Sequence, residues 1–373
     1  MTNTLTARAA LIRAIGEPFA IADVQVEAPR GSEVLVEVRG SGLCHSDINY
    51  ATQDLGKPVP MLLGHEVAGV VLGLGPDVRS LAVGDHVVAC LVGACGDCMP
   101  CRSGRPAGCA RRGTLDARPA GEQPRITEGG TPVFQLRGIG GFASHTLIDE
   151  GQLVRVDKAI PFDRAALLGC GVVTGAGAVI RSAQVRPLDT VVVIGAGGVG
   201  LNAIQAAEHV GARRVIAIDT QPVKLELAKR FGATDVVNAS EGGVVEHVMD
   251  LTGGQGVDHV FEVTGHLAPL KEAISMLGHR GTVYLIGLQR PGTVLDQPLA
   301  ATESLMMGLE QGIRGVMMGS TNFKIDVPYF GDLYLQGRFN LDDLVSGTLD
   351  LDDINAGYDA LRGGGVARSV ITF

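Results

Sequence analysis

The chain has 373 residues, 53 of them glycine, with 46% hydrophobic and 19% charged residues, no tryptophan and a formal net charge of −9. Glycine stands at about twice its usual share of about 7%, yet no Gly-X-Y period accompanies it and the apolar content is ordinary, which excludes collagen and disorder. A net negative chain without a lysine- and arginine-rich run lacks the positive footprint that nucleic acid or an anionic membrane requires, so neither is expected as a partner.

At about 150 residues per domain the length fits about two domains, each able to bury its own core. Seven cysteines is an odd number and too sparse for a disulfide scaffold, which leaves metal or catalytic thiols. Arg8 and Arg13 interrupt the first apolar residues and no h-region precedes a small-residue cleavage site, so a cytoplasmic address is expected. Two apolar stretches, Ala165 to Ile180 and Val191 to Ala207, fall short of the roughly 20 residues a bilayer demands and are dense in glycine. Both read as buried strand and helix.

From residue 1 to about 160, short strand-like runs (Val34 to Val38, Val67 to Leu72, Asp85 to Ala89) alternate with glycine and proline, the texture of an irregular, mostly β domain. A loop is predicted from about Arg102 to Gly141, and loops this long are functional or tied down. From Leu188 the texture changes. Thr190 to Ile194 reads as a strand and Gly198 to Val210 as a helix closed by Gly211. Arg214 to Asp219 is a second strand, and Gln221 to Phe231 a helix with Pro222 in its first turn and Gly232 at its end. Asp235 to Asn238, Val257 to Val263 and Thr282 to Ile286 continue the strands, and such apolar runs separated by helices predict a doubly wound parallel sheet. After Met318 the pattern is irregular until a β-like run, Arg368 to Phe373.

Three motifs carry chemistry. Gly195-Ala196-Gly197-Gly198-Val199-Gly200 follows a strand and opens a helix, and Asp219 closes the next strand. Gly195 permits the tight turn, Gly197 lets the backbone approach a pyrophosphate, Gly200 lets helix and strand pack, and Asp219 can bond the ribose hydroxyls. A carboxylate there repels a 2′-phosphate, which favours NAD over NADP. Lys224 either reaches the adenosine ribose or is a solvated helix lysine. Val263, at the end of its strand, joins the cofactor set. The second motif, Cys95, Cys98, Cys101 and Cys109, places four thiols within 15 residues, a sphere that selects zinc or iron-sulfur. The third is dispersed: Cys44, His65 with Glu66, and Cys170 between two glycines.

Gly42 to Asp47, Gly64 to Gly69, Gly84-Asp85, the four-cysteine lobe, Gly169 to Gly175, the dinucleotide fingerprint and the Arg368 terminus together resemble the zinc-dependent alcohol dehydrogenases of the medium-chain dehydrogenase/reductase superfamily. Length and the long loop look most like the class III and bacterial aryl-alcohol branch. The resemblance implies an α/β chain with a GroES-like, mostly β catalytic domain (1–171 and 318–373) and a Rossmann cofactor domain (172–317). It implies two zinc ions per subunit, a catalytic one on Cys44, His65 and Cys170 and a structural one on the four-cysteine lobe. Glu66 would approach the catalytic metal during ligand exchange, Asp47 would orient His65, Arg368 would contact the pyrophosphate and Thr174 would lie beside the nicotinamide.

The implied activity is reversible oxidation of a primary or secondary alcohol with hydride transfer to NAD, Ser46 relaying the proton. Where many relatives place a relay histidine, this chain has Asn49, which cannot titrate, so the proton is expected to leave through the ribose to water or through His45. Two alternatives stand beside this: a thiol-dependent formaldehyde dehydrogenase using Arg111, Arg112 or Arg125 for a thiol carboxylate, and a catalytically silent NAD- or zinc-binding protein. Ser46 and Leu91 hint at a roomy pocket for bulky or aromatic alcohols. A homodimer is expected, with the Met306-Met307 and Met317-Met318 pairs at its edge or in the core. Cys90 is left over as a small apolar residue.

Overall fold

The computed structural model describes residues 4–111, 115, 118–119, 121–289, 292–295, 305–364 and 367–373. The chain forms two compact units, Met1–Cys170 with Asn322–Phe373, and Gly171–Thr321.

The first unit holds two sheets. The larger runs in the order Leu153–Arg155, His86–Ala89, Glu66–Leu74, Glu33–Gly42, Arg368–Thr372 and Val345–Leu349, with His145–Asp149 also paired to Glu33–Gly42. Val34, Val36 and Val38 are fully buried between half-buried Leu35 and Glu37, the period-2 alternation of a strand with one face on a core. The second sheet joins Leu5–Ile12 and Ala20–Val26 to short strands at Met61–Leu62, Ile126–Glu128, Thr131–Pro132 and Phe134–Gln135. The predicted loop from Arg102 to Gly141 is therefore partly sheet. Strands of two or three residues, the first two parted by Gly129 and Gly130, are too short to show a period in sequence.

Past Met318, where the sequence reads as irregular, the chain forms helices Phe323–Leu335 and Ile354–Arg362. Pro328 lies inside the first, and Pro328 and Gly331 hide its pattern. Phe162–Ala183 is a helical run of 22 residues, longer than the sequence reading allowed because Phe162-Asp163-Arg164 extend it at one end and Arg181-Ser182-Ala183 at the other. Length and apolarity would let it span a bilayer, but most of it is buried within the protein.

The second unit is a parallel sheet in the order Asp235–Asn238, Arg214–Asp219, Thr190–Ile194, Val257–Glu262, Leu277–Leu285, Gly312–Gly315. Numbered along the chain this is 3-2-1-4-5-6, the order of a dinucleotide fold, whose switch point lies beside the first strand. Val191 to Val193 are fully buried, as a strand covered on both faces requires. The last strand escaped the sequence reading because Gly312 and Gly315 bracket only two side chains.

Candidate active site and metal centres

Sheet register assembles the first cluster. Gly42, at the end of the central strand, pairs with Glu66 on one side and Val370 on the other. Cys44 follows two residues later, His65 precedes Glu66, and Arg368 opens the strand carrying Val370. Cys170 arrives on the helical run, seated by Gly169, where a Cβ would come within 1.9 Å of the Ala89 carbonyl oxygen. Gly42 is equally constrained, because a Cβ there would lie 2.2 Å from Glu66 Oε2. The donor atoms of Cys44, His65, Glu66 and Cys170 lie within 4.8 Å of one another, and all four residues are buried.

His65 Nδ1 lies 3.1 Å from Asp47 Oδ1, which also accepts the Gly64 N–H at 3.2 Å. With a proton on Nδ1 the other ring nitrogen is an acceptor, and His65 Nε2 is buried without a hydrogen-bond partner among the described residues. An orphaned imidazole nitrogen beside two thiols is a donor set that fits zinc. Hydrogen bonding from Cys170 comes first among the causes that hold the Cys44 thiol well below its ordinary value, with His65 and Arg368 assisting. Burial pushes Glu66 up to about 7, against the pull of Arg368, whose guanidinium is 3.5 Å away in a buried ion pair.

The second cluster is the four-cysteine lobe. Its sulfurs also lie within 4.8 Å of one another, with Cys95 to Cys101 at 4.0 Å and Cys98 to Cys109 at 3.9 Å. Four thiolates at about 2.3 Å from one tetrahedral zinc stand about 3.8 Å apart, so the lobe needs almost no contraction to close on an ion. Backbone N–H groups of Cys101 and Ala110 hold Cys98 down to about 6, while burial and then Cys98 push Cys101 up to about 12. Such thiols cannot all ionise together without a cation among them.

In the second unit, Gly195 has φ +103°, and a Cβ on it would meet Thr264 and Val263 side chains at 2.9 Å. A Cβ on Gly200 would stand 1.7 Å from the Gly195 carbonyl oxygen. Over Gly197, by contrast, a Cβ would meet nothing within 4 Å, which leaves an open cradle at the N-terminus of helix Gly198–His209. Gly198 and Val199 form its first turn. Asp219 Oδ2 accepts the Ala196 N–H at 2.8 Å and Oδ1 the Gln221 N–H at 2.9 Å, tying the second strand to the glycine turn. Lys224 is half-buried in helix Pro222–Arg230, and buried Thr174 bonds Met318 sulfur at 3.4 Å.

Other expectations resolve differently. Arg125 is neither solvated nor open to a substrate carboxylate: it is buried and ion-paired with Glu33 at 2.8 Å. Arg111 is exposed and paired with Asp97 at 3.1 Å, and Arg112 lies outside the described residues. Leu91 packs against the valine core, Met318 is buried, Met317 is exposed, and the Met307 side chain lies outside the description. His45 is exposed at the start of helix His45–Thr52, while Ser46 Oγ lies 3.6 Å from Cys44 Sγ. Burial pushes the Cys90 thiol up to about 12, which keeps it inert. Sequence reasoning missed Glu262, a buried acid accepting the Thr264 and Gly265 N–H groups beside the glycine turn, and Tyr358, buried in the same core as Leu43 and Leu63. A lone acid or aromatic carries no motif.

A dinucleotide-type parallel sheet, a buried Cys-His-Cys cluster and a four-thiol lobe define a zinc-dependent dehydrogenase. Residues 30–158 match the alcohol dehydrogenase GroES-like domain and residues 198–330 the zinc-binding dehydrogenase domain. An NDMA-dependent alcohol dehydrogenase of Amycolatopsis methanolica is 36% identical, over 98% of each chain. An S-(hydroxymethyl)glutathione dehydrogenase of Paracoccus denitrificans is 33% identical, over 98% of this chain and 99% of that one. The crystal structure of benzyl alcohol dehydrogenase from Acinetobacter calcoaceticus superposes with a TM-score of 0.92 at 33% identity, covering 99% of both chains. The chain belongs to the zinc-dependent alcohol dehydrogenases of the medium-chain dehydrogenase/reductase superfamily.

Proposed function

We propose that the chain oxidises alcohols to aldehydes or ketones with NAD as hydride acceptor, holding one zinc on Cys44, His65 and Cys170 and a second on Cys95, Cys98, Cys101 and Cys109. The observation that carries this is the buried first cluster with its unpartnered His65 nitrogen. Zinc, when bound, supplies the Lewis acidity that lowers an alcohol's pKa toward neutrality, and NAD supplies the hydride acceptor. Asp47 fixes the imidazole of His65, so that its free nitrogen faces inward in one tautomer. Glu66, neutralised by Arg368 or by a proton, keeps the cavity charge low beside two thiolates and offers a carboxylate for ligand exchange. Ser46 accepts the alcohol proton and passes it on. Asn49 cannot titrate, so the proton continues through ribose hydroxyls to water or through His45.

Gly195, Gly197 and the first turn of helix Gly198–His209 would cradle the pyrophosphate, with Arg368 as a further contact. Asp219 would take the ribose hydroxyls, Lys224 the adenosine ribose, and Val263 and Thr174 the nicotinamide side. A soluble cytoplasmic homodimer completes the reading.

An alcohol panel, from ethanol to benzyl alcohol, followed by NADH absorbance with NAD and NADP compared, tests this. Turnover of benzyl-type alcohols with NAD is expected, and no NADH from any alcohol would overturn it. The relatives suggest two variants, an NDMA-dependent turnover and thiol-dependent formaldehyde oxidation. Adding NDMA, or formaldehyde with and without thiol, separates them. The burial of Arg125 against Glu33 weighs against the thiol reading, because that guanidinium is already taken.

A further inference from the structure

Asp47 spends one oxygen on His65 and the Gly64 N–H, while its other oxygen, Oδ2, is buried with no hydrogen-bond partner among the described residues. The same is true of the Tyr358 hydroxyl. Tyr358 lies in helix Ile354–Arg362, 1% exposed, stacked on Phe19 at 5.2 Å and edge-on to Phe142 at 6.2 Å. This helix is seated close to the site, since a Cβ on Gly357 would meet Leu43 Cδ1 at 3.3 Å. Its ring thus lies in an apolar core that offers the hydroxyl nothing. The charged groups facing the hydroxyl are Asp47 from helix His45–Thr52, Cys44 just before it, and Glu66 from strand Glu66–Leu74. Burial and then these negative charges push the phenol well above its ordinary value, so it keeps its proton and is a donor. Neither atom has a hydrogen-bond partner among the described residues. Leu43 beside Cys44, Ala51 in the helix of Asp47 and Leu63 just before Gly64 share one buried core with Tyr358 and so bring its ring to the Asp47 side of the cluster. Left apart, each carries the full desolvation penalty of a buried polar group, and a bond between them removes both.

We propose that Tyr358 is a positioning residue of the metal centre: its hydroxyl donates to Asp47 Oδ2, extending the Asp47–His65 pair into a Tyr–Asp–His chain that fixes the ring of His65. The proposal rests on the reading of Cys44, His65 and Cys170 as zinc ligands. Phenylalanine would fill the same space, so packing alone gives no use for the oxygen. The oxygen's effect is on the metal.

Tyr358→Phe deletes that oxygen and keeps the ring. Zinc-loaded wild type and variant are mixed with a chromogenic chelator and release is followed in time, the four-cysteine lobe serving as internal control. Direct partners of ligating histidines are worth about 10–100-fold in metal affinity, and one bond further out about three- to tenfold faster release is expected from the Cys44 site. The lobe should release at its usual rate, and the melting temperature of the metal-free protein should not fall. Equal release from the Cys44 site in both proteins overturns the role of Tyr358. Acceleration at both sites with a lower metal-free melting temperature also overturns it, because that marks general loosening. A Cys170→Ser variant that retains all its zinc would overturn the metal reading instead.

Discussion

His65 Nδ1 and Asp47 Oδ1 lie 3.1 Å apart in a fully buried pair, and the same oxygen takes the Gly64 N–H. One carboxylate therefore fixes both the imidazole and the backbone immediately before it. Asp47→Ala removes that anchor. It should lower zinc retention by about 10–100-fold, read as zinc per chain after dialysis against a chelator, with catalytic efficiency falling in parallel. Full zinc content after dialysis would show that the ligands hold the metal without the carboxylate.

In the proposed reading Asp219 both ties the glycine turn and selects the cofactor, and a variant compared on two cofactors tests the second role. The Asp219 carboxylate accepts the Ala196 and Gln221 N–H groups, and under the proposed function its charge would repel a 2′-phosphate. Asp219→Ala should raise the KM for NAD by about tenfold or more, since a lost pair of hydrogen bonds to the ribose is worth about 1.5–3 kcal/mol. The KM for NADP should change far less, so the preference narrows. Steady-state kinetics with both cofactors decides, and an unchanged ratio would remove Asp219 from cofactor choice.

Five of the six strands of the parallel sheet were legible because their signals are local: a glycine fingerprint, apolar runs such as Val191 to Ile194, and Pro222 and Gly232 at the two ends of a helix. The proposed ligands Cys44, His65 and Cys170 were legible by contrast only through resemblance, since they are brought together by the register of Gly42 with Glu66 and by the seating of Gly169, neither of which has a sequence period. The helix Phe323–Leu335 was hidden by Pro328, and its place is set by tertiary burial of Phe323, Val327 and Phe330. Arg125 shows the other failure. An arginine in a glycine-rich loop reads as solvated, and only its distant partner, Glu33, makes it a buried residue.

Ser46 Oγ lies 3.6 Å from the Sγ of Cys44, a thiol of the proposed zinc site, and begins the proposed proton path. Ser46→Ala should lower kcat by about 10²-fold, the ordinary value of a positioned proton acceptor, while zinc content stays whole. Turnover should recover in part as pH rises and solvent takes the proton directly. A rate loss of equal size at every pH would place Ser46 in substrate binding rather than in proton transfer.

The charge clamp on Glu33 makes a prediction about acid stability. Glu33 is 4% exposed, at the start of the central strand, and accepts from Arg118 at 2.6 and 2.9 Å, from Arg125 at 2.8 Å and from the Arg30 N–H at 2.9 Å. Burial alone would raise its pKa, but the hydrogen bonds from Arg118 and Arg125, with the Arg30 N–H, outweigh it and hold the carboxyl below the ordinary 4.5. A folded pKa below the unfolded one means that the unfolded chain binds more protons in acid. The stabilisation is therefore whole above about pH 4.5 and is lost as pH falls through the folded value. Glu33→Gln leaves two buried guanidinium groups without their counter-charge and should destabilise the first unit by about 3–5 kcal/mol at pH 7. The gap between variant and wild type, measured by denaturant unfolding, should then shrink as the medium is acidified below that window, because wild-type Glu33 becomes neutral as well. A gap that stays constant from neutral to strongly acidic pH would mean that the carboxylate's charge is not what holds the two arginines.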